Sequence, residues 1–157
     1  MVDTGDEAPD FTAPLANGDV ETFTLSDHLD EAPIVLAFFP AAFTNTCTAE
    51  MCTFRDQLSN FEDVGATVYG VSVDLPYTLN EFRRQNDLNF GLISDDRREL
   101  IEAYDIVDQW EPRAIRVAKR AVFVVDGDGT ITYRWVGTPK DQPDYEAVRE
   151  ATREASA

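Results

Sequence analysis

Basic residues are scarce in this chain of 157 residues. Lys and Arg together number 13 against 30 Asp and Glu, which gives a formal net charge of −17. Nucleic acids and anionic membranes attract proteins chiefly through Lys and Arg, so the composition argues against both as partners. The acidic excess also predicts adaptation to high salt, where screening over ~3 Å at 1 M removes self-repulsion.

Long apolar runs are also missing. None approaches the ~20 residues needed to cross a bilayer, and the opening MVDTGDEAPDF lacks the basic and apolar regions of a signal peptide. We therefore expect a cytoplasmic protein, in which a disulfide would be transient and catalytic. The length and a hydrophobic fraction of 43% predict one domain over residues 1–157.

Residues that bind metals are few, since the chain has two Cys and one His. A structural zinc site needs about four such ligands, so we expect no metal. His28 is distant in sequence from both cysteines and is interpreted as a surface residue. The DGDGT segment at 126–130 has Ile131 and Gly137 where a calcium loop requires Gly and Glu, so it predicts a hairpin turn. No cofactor-binding motif is present.

Apolar patterns alternate between strand and helix along the chain. The segment PIVLAFF at 33–39 is continuously apolar, which is typical of a strand buried on both faces. An N-terminal hairpin is expected around Asn17–Gly18. The order of elements predicts a three-layer α/β fold with a mixed central sheet. Further strands are expected at 67–74, 90–94, 121–126 and 130–137, and helices at 48–62, 78–88, 97–106 and 144–155.

Both cysteines lie in the stretch TNTCTAEMC, at positions 47 and 52. The helix is expected to begin near residues 46–48, with Asn45 or Thr46 as its cap. Cys47 would then lie in the first turn, just after the carboxyl end of a buried strand, where ligands bind in open α/β sheets. Free N–H groups and the helix dipole stabilise a thiolate there. The alternative is an inert cysteine on a core-facing surface.

Helix geometry separates the two cysteines. At 100° per residue, Cys47 heads the apolar stripe of the helix, whereas Cys52 lies about 140° away. Their Cα atoms would be roughly 8–9 Å apart in an intact helix. A disulfide needs a Cα separation below ~7 Å. A bond between the cysteines therefore requires the first turns to unwind.

The segment PAAFTNTC at 40–47 matches the P-x-x-x-T-x-x-C motif of the peroxiredoxins, thioredoxin-fold enzymes that reduce hydroperoxides. The chain also resembles this family at GDEAPDF, VLAFFPAAFT, GVSVD and RAVFVVDGDGTI. The stretch TAEMCTFRD is similar to the bacterioferritin comigratory protein subgroup, many members of which carry a second cysteine five residues on. The flank at 43–46 is closer to the one-cysteine branch.

The resemblance implies a role for each matching residue. Cys47 would be the peroxidatic cysteine, whose thiolate attacks the O–O bond and becomes a sulfenic acid. Thr44 would bind the peroxide and the thiolate, and Pro40 would shield the sulfenate from water. Arg120 would stabilise the thiolate and the leaving oxygen. Glu50 would organise the arginine, with a plain helix-start carboxylate as the alternative.

Expectations also follow for two other arginines, for the two tryptophans and for the partners. Arg113 and Arg116 could replace Arg120 but are expected to be solvated loop charges. Trp110 and Trp135 are expected to pack or to line an interface, and many relatives are homodimers. The implied partners are a hydroperoxide and a thioredoxin-like or low-molecular-weight thiol reductant.

In this mechanism Cys52 would be the resolving cysteine. Three alternatives stay open, and the first is a one-cysteine enzyme that an external thiol resolves. A thiol–disulfide oxidoreductase of the same fold is a second possibility, disfavoured because the cysteines lack the two-residue gap that places both at one helix N-terminus. A non-catalytic module that retains the fold is the third. Intact Pro40, Thr44, Cys47 and Arg120 argue against it.

Overall fold

Strands and helices alternate through residues 2–156, the part of the chain that this computed structural model describes. The strands are β1 Thr12–Asn17, β2 Asp19–Thr24, β3 Ile34–Phe38, β4 Thr67–Ser72, β5 Leu92–Ser94, β6 Val107–Trp110, β7 Ile115–Ala118, β8 Arg120–Val125 and β9 Ile131–Gly137. The helices are a 3₁₀ helix Leu25–Glu31, α1 Asn45–Asp63, α2 Pro76–Asn86, α3 Glu99–Ala103 and α4 Tyr145–Ser156.

The central sheet has seven strands in the order β2-β1-β5-β4-β3-β8-β9. Strands β3, β4 and β5 are parallel, because α1 and α2 cross over between them. Strands β1 and β8 add to this parallel centre in the antiparallel direction. All five residues of β3 are buried, as its continuous apolar run predicts. The prediction of a mixed sheet with an N-terminal hairpin is confirmed.

Two apolar clusters cover the two faces of this sheet. One cluster joins α1, α2 and α4 to the sheet, and the other lies on the α3 side. The predicted stripe of α1 faces the first cluster, and its members are all buried: Met51, Phe54, Leu58 and Phe61. Each such side chain contributes roughly 1.5–3 kcal/mol on burial. The stripe therefore fixes the rotation of α1 about its axis and, with it, the direction of Cys47.

The start of α1 differs from the sequence prediction. Thr44, and not Asn45 or Thr46, is the N-cap residue: its backbone is extended, with φ −87° and ψ 153°. The Thr44 carbonyl accepts the Thr48 N–H at 2.9 Å, so the first helical hydrogen bond begins one or two residues early. Cys47 nevertheless lies in the first turn, as predicted.

One further expectation needs correction, and one element was not expected. The helix expected at 97–106 ends at Ala103, because Asp105 adopts a positive φ of 56° and the chain enters β6. The β6–β7 hairpin was not expected from the sequence. Its strands have four residues each and are partly exposed, so they lack an apolar alternation that marks a strand.

His28 lies in the 3₁₀ helix, well away from the cysteines in the fold. Its ring stacks on buried Phe23 with centroids 4.3 Å apart, and its Nδ1 lies 2.8 Å from a Glu31 carboxylate oxygen. It is thus partly packed, and the interpretation as a plain surface residue was too simple. Among residues 2–156, no helix is long and apolar enough to cross a membrane.

Candidate active site

The loop from Pro40 to Thr44 brings the chain from β3 to the start of α1. Asp74, just after β4, holds this loop in place: its Oδ2 accepts the Ala42 N–H at 2.8 Å and the Ser72 hydroxyl at 2.7 Å. Within the loop, Phe43 has a φ of 68°, which lets the chain reverse direction before the helix. The loop therefore presents the first turn of α1 at the carboxyl edge of the sheet.

Cys47 is the third residue of α1 and is only 1% exposed. Its sulfur accepts a hydrogen bond from Nη2 of Arg120 at 3.2 Å. Arg120 begins β8 and is itself 1% exposed, so its charge is directed at the sulfur with little screening by water. Cys47 is not in a disulfide.

Arg120 is held by two further acceptors. Its Nη1 donates to Glu50 Oε1 at 2.5 Å, and its Nη2 also donates to the Pro139 carbonyl at 2.8 Å. Burial lowers the pKa of this guanidinium, but its interactions with Glu50 and with the Cys47 sulfur outweigh that effect, so the pKa lies above its ordinary value. The guanidinium is therefore a permanent positive charge in the site.

Glu50 lies one helical turn after Cys47 and is fully buried. Burial raises the pKa of its carboxyl from 4.5 to about 8, because desolvation outweighs the attraction of Arg120. Its Oε2 has no hydrogen-bond partner among residues 2–156, so one of its two oxygens lacks the donor that would stabilise a charge. The carboxyl is therefore largely protonated at neutral pH.

A pocket of about 130 Å³ opens above the sulfur. Its lining residues come from four separate parts of the chain: Pro40, Thr44, Asn45, Thr46, Cys47, Trp110, Arg120 and Pro139. The Thr44 hydroxyl donates its proton to the Ala41 carbonyl at 2.8 Å, which leaves its oxygen as an acceptor toward the pocket. Pro40 is buried beside the sulfur.

The structure thus brings Pro40, Thr44, Cys47 and Arg120 together, with Glu50 behind them. The two alternative arginines lie outside the pocket: Arg113 is an exposed loop residue, and Arg116 forms an ion pair with Glu102.

Two pocket residues carry no sequence motif. Pro139 contributes its carbonyl to Arg120, and Trp110 contributes a side chain from the unexpected β6–β7 hairpin. The segment that follows Pro139 is tied to α1 through Gln142, whose Nε2 donates to the Thr46 carbonyl at 3.1 Å. Only the folded chain brings these residues to the motif.

Cys52 lies outside this pocket, on the side of α1 that faces the end of α2. Its sulfur is 3.8 Å from Asn86 Oδ1 and is partly buried. Arg55 also binds Asn86, because its Nη1 donates to the Asn86 carbonyl at 2.6 Å. Both cysteines are free thiols, and the helix that contains them is intact from Asn45 to Asp63.

The donor set offers little to a metal. Within residues 2–156, no group of three or more His, Cys, Asp or Glu side chains is arranged to hold a metal ion. The chemistry available in the pocket is that of a sulfur nucleophile beside a fixed cation, with a hydroxyl oxygen as acceptor.

Known proteins share both the sequence and the fold of this chain. The AhpC/TSA family profile matches residues 4–134. Rv2521 of Mycobacterium tuberculosis (strain ATCC 25618 / H37Rv), which carries a peroxiredoxin name, is 40% identical over 129 residues, covering 81% of this chain and 80% of that protein. Peroxiredoxin Bcp of Bacillus subtilis (strain 168) is 32% identical, with 85% of each chain covered. The crystal structure of peroxidoxin BcpB from Mycobacterium tuberculosis superposes with a TM-score of 0.84 at 27% identity and 98% coverage of both chains.

Proposed function

Since the chain belongs to the AhpC/TSA family and is a peroxiredoxin, a thiol peroxidase of thioredoxin fold, we propose that Cys47 is its peroxidatic residue. The observation that carries this assignment is the hydrogen bond from buried Arg120 to the Cys47 sulfur at 3.2 Å. A fixed cation beside the sulfur stabilises the negative charge of an attacking thiolate, the reactive form of a cysteine. Cys52 does not line this pocket.

The reaction transfers one oxygen to the sulfur. The Cys47 thiolate attacks the terminal oxygen of a hydroperoxide, an S–O bond forms and the O–O bond breaks. The sulfur is oxidised to a sulfenic acid and the peroxide is reduced to an alkoxide, or to hydroxide when the substrate is hydrogen peroxide. The leaving oxygen then takes a proton and departs as an alcohol or as water.

The surrounding groups assist this transfer in distinct ways. Arg120 stabilises the thiolate and the negative charge that grows on the leaving oxygen. Thr44, whose own proton is committed to the Ala41 carbonyl, accepts the hydroperoxide O–H and so orients the substrate. Pro40 excludes water from the sulfenic acid. Glu50 fixes the guanidinium through its 2.5 Å hydrogen bond.

Cys52 completes the cycle in this proposal. After the first turns of α1 unwind, its thiol attacks the Cys47 sulfenic acid, a disulfide forms and water leaves. A thioredoxin-like protein or a low-molecular-weight thiol then reduces the disulfide. Support comes from the two free thiols in one helix. The contact of Cys52 with Asn86 must break before the two sulfurs can meet.

The setting is also part of the proposal. We place the enzyme in a reducing, salt-rich cytoplasm, supported by its free thiols and by its net charge of −17. A homodimer is supported by exposed apolar side chains beside the active-site loop. Phe43, Leu75 and Tyr77 are 48%, 59% and 75% exposed, and the Ala42–Asp74 hydrogen bond brings their segments together.

Single-turnover peroxide consumption by pre-reduced protein tests the assignment of Cys47. Wild type and Cys52→Ser are expected to consume one equivalent of hydrogen peroxide rapidly, and Cys47→Ser is expected to consume none at a comparable rate. Mass spectrometry of the oxidised wild type should show a disulfide between residues 47 and 52. A Cys47→Ser variant that consumes peroxide like the wild type would overturn the assignment, and a persisting sulfenic acid in the wild type would overturn the resolving role of Cys52.

A further inference from the structure

Trp110 lines the pocket but has no role in the peroxidase steps described above. It ends β6, and its backbone pairs with Ile115 at the start of β7. Its side chain lines the pocket together with Cys47 and Arg120. Those two residues are each 1% exposed, whereas Trp110 is partly exposed, so the indole lies toward the mouth and the sulfur at the floor.

The direction of attack places the organic part of a substrate at that mouth. The sulfur attacks the terminal oxygen of a hydroperoxide, so the substituent on the second oxygen lies on the far side of the O–O bond. In hydrogen peroxide this substituent is a hydrogen atom and reaches no wall. In an alkyl hydroperoxide it is a carbon group, which must extend past Arg120 toward the pocket opening.

The size and the chemistry of the opening suit such a group. The pocket measures about 130 Å³, whereas one water-sized group occupies roughly 10–15 Å³ on a comparable scale, so the two oxygens of a peroxide leave most of the space free. Trp110 faces this space with the rings of Pro40 and Pro139. The indole and the proline rings offer an apolar surface, next to the polar Asn45 and Thr46, which also line the pocket.

The base of the hairpin is fixed, so Trp110 is held at a defined position. The Lys119 N–H donates to the Ile106 carbonyl at 2.7 Å, and Arg98 Nε donates to the Arg116 carbonyl at 2.8 Å. Val117 and Ala118 are buried in the α3 side of the core or next to it. Within the hairpin, Trp110 lines the pocket, whereas its pairing partner Ile115 does not.

We infer that Trp110 is a specificity-determining residue that binds the organic substituent of alkyl and aryl hydroperoxides. The inference rests on the proposed function of Cys47 and adds a substrate preference to it. Contact with the indole holds the organic group while the terminal oxygen rests against the sulfur. Hydrogen peroxide gains nothing from this contact, because it has no carbon group to place there.

Three variants on one hairpin test the inference. The second-order rate constant of pre-reduced enzyme is measured with cumene hydroperoxide and with hydrogen peroxide. Trp110→Ala is expected to lower the rate with cumene hydroperoxide roughly tenfold and to change the rate with hydrogen peroxide less than twofold. Trp110→Phe keeps an apolar ring and should retain most of the preference. Ile115→Ala, the paired residue outside the pocket, should change neither rate.

The outcomes distinguish the two levels of the proposal. An equal loss with both peroxides, or an unchanged rate with cumene hydroperoxide in Trp110→Ala, would overturn the role of Trp110 and leave Cys47 as the peroxidatic residue. A loss in Ile115→Ala as large as that in Trp110→Ala would also overturn it, since the hairpin as a whole would then be responsible. A wild-type protein that reduces neither peroxide would overturn the function of Cys47 and this inference together.

Discussion

The Arg120 guanidinium contacts two acidic groups at the centre of the candidate active site. Arg120 contacts the Cys47 sulfur through Nη2 and the Glu50 carboxyl through Nη1. If both groups were ionised, the guanidinium charge would be divided between them. Because burial raises the pKa of Glu50 to about 8, the carboxyl is mostly neutral at pH 7 and the guanidinium charge remains available to the Cys47 sulfur.

Glu50 should therefore give the protein a stability that depends on pH. Its pKa is about 8 in the folded state against 4.5 for an unperturbed carboxyl, so the folded chain binds more protons between these values. The free energy of unfolding must then fall as the pH rises through that window. Urea denaturation of the reduced protein from pH 5 to pH 8.5 measures this slope.

Glu50→Gln is the matched variant for that titration, because it keeps a neutral hydrogen-bonding group of the same shape. We expect the variant to gain stability relative to the wild type as the pH rises, since it never places a charge in the core. Parallel profiles for wild type and variant would show that Glu50 does not titrate in this window.

Some residues of the candidate site could be predicted from the sequence, and others could not. The motif at 40–47 and the strand at 120 mark Pro40, Thr44, Cys47 and Arg120, because each stands at a fixed offset from a recognisable element. Trp110 and Pro139 could not be predicted, since their place in the pocket depends on loops that fold back from distant positions. The hydrogen bond from the Thr44 hydroxyl to the Ala41 carbonyl also could not be predicted from the sequence.

At the level of elements, α1 carries both cysteines on different sides. Cys47 faces the pocket, and Cys52 contacts the C-terminal end of α2 at Asn86. Arg55 reinforces this contact with a 2.6 Å hydrogen bond to the Asn86 carbonyl. Joining the two sulfurs therefore requires a local unfolding of α1 that also breaks its connection to α2.

Hydrogen exchange should detect this unfolding. We expect peptides that cover residues 45–52 to lose protection when the wild-type protein is oxidised by one equivalent of peroxide, because a disulfide cannot form on the intact helix. Peptides from β3 and β8 should remain protected. Cys52→Ser, oxidised in the same way, should keep its helix. Unchanged protection in a sample whose disulfide is verified by mass spectrometry would contradict this coupling.

Elements with a sustained apolar pattern were predictable, and the β6–β7 hairpin was not. The buried strand at 33–39 and the stripe of α1 follow from apolar patterns that persist for several residues. The β6–β7 hairpin has no such pattern, and its two strands are held by their mutual pairing and by the contacts of the hairpin base. This hairpin supplies Trp110, so the missed element is also the one that shapes the pocket mouth.

For the whole molecule, the dominant property is uncompensated negative charge. The net charge is −17, and most ion pairs among residues 2–156 lie at the surface, where each contributes little. Repulsion among the remaining carboxylates opposes the compact state at low ionic strength. Salt shortens the range of this repulsion from ~10 Å at 0.1 M to ~3 Å at 1 M.

The free energy of unfolding is therefore expected to rise as KCl increases from 0.1 M to 2 M. Urea denaturation at fixed pH measures the rise. A variant with Glu21→Gln, Glu62→Gln and Glu154→Gln, three exposed side chains, should show a weaker dependence because it carries less charge to screen. Full stability in dilute buffer, with no change on added salt, would count against adaptation to a salt-rich setting.

The site of the first oxidation is the most direct test of the mechanism. Pre-reduced Cys52→Ser and Cys47→Ser are each mixed with one equivalent of hydrogen peroxide and dimedone, which traps sulfenic acids, and the labelled peptides are identified by mass spectrometry. We predict rapid labelling of Cys47 in Cys52→Ser and no comparable labelling of Cys52 in Cys47→Ser. Rapid labelling of Cys52, with Cys47 left unmodified in the other variant, would contradict the assignment of Cys47 as the residue that reacts with peroxide.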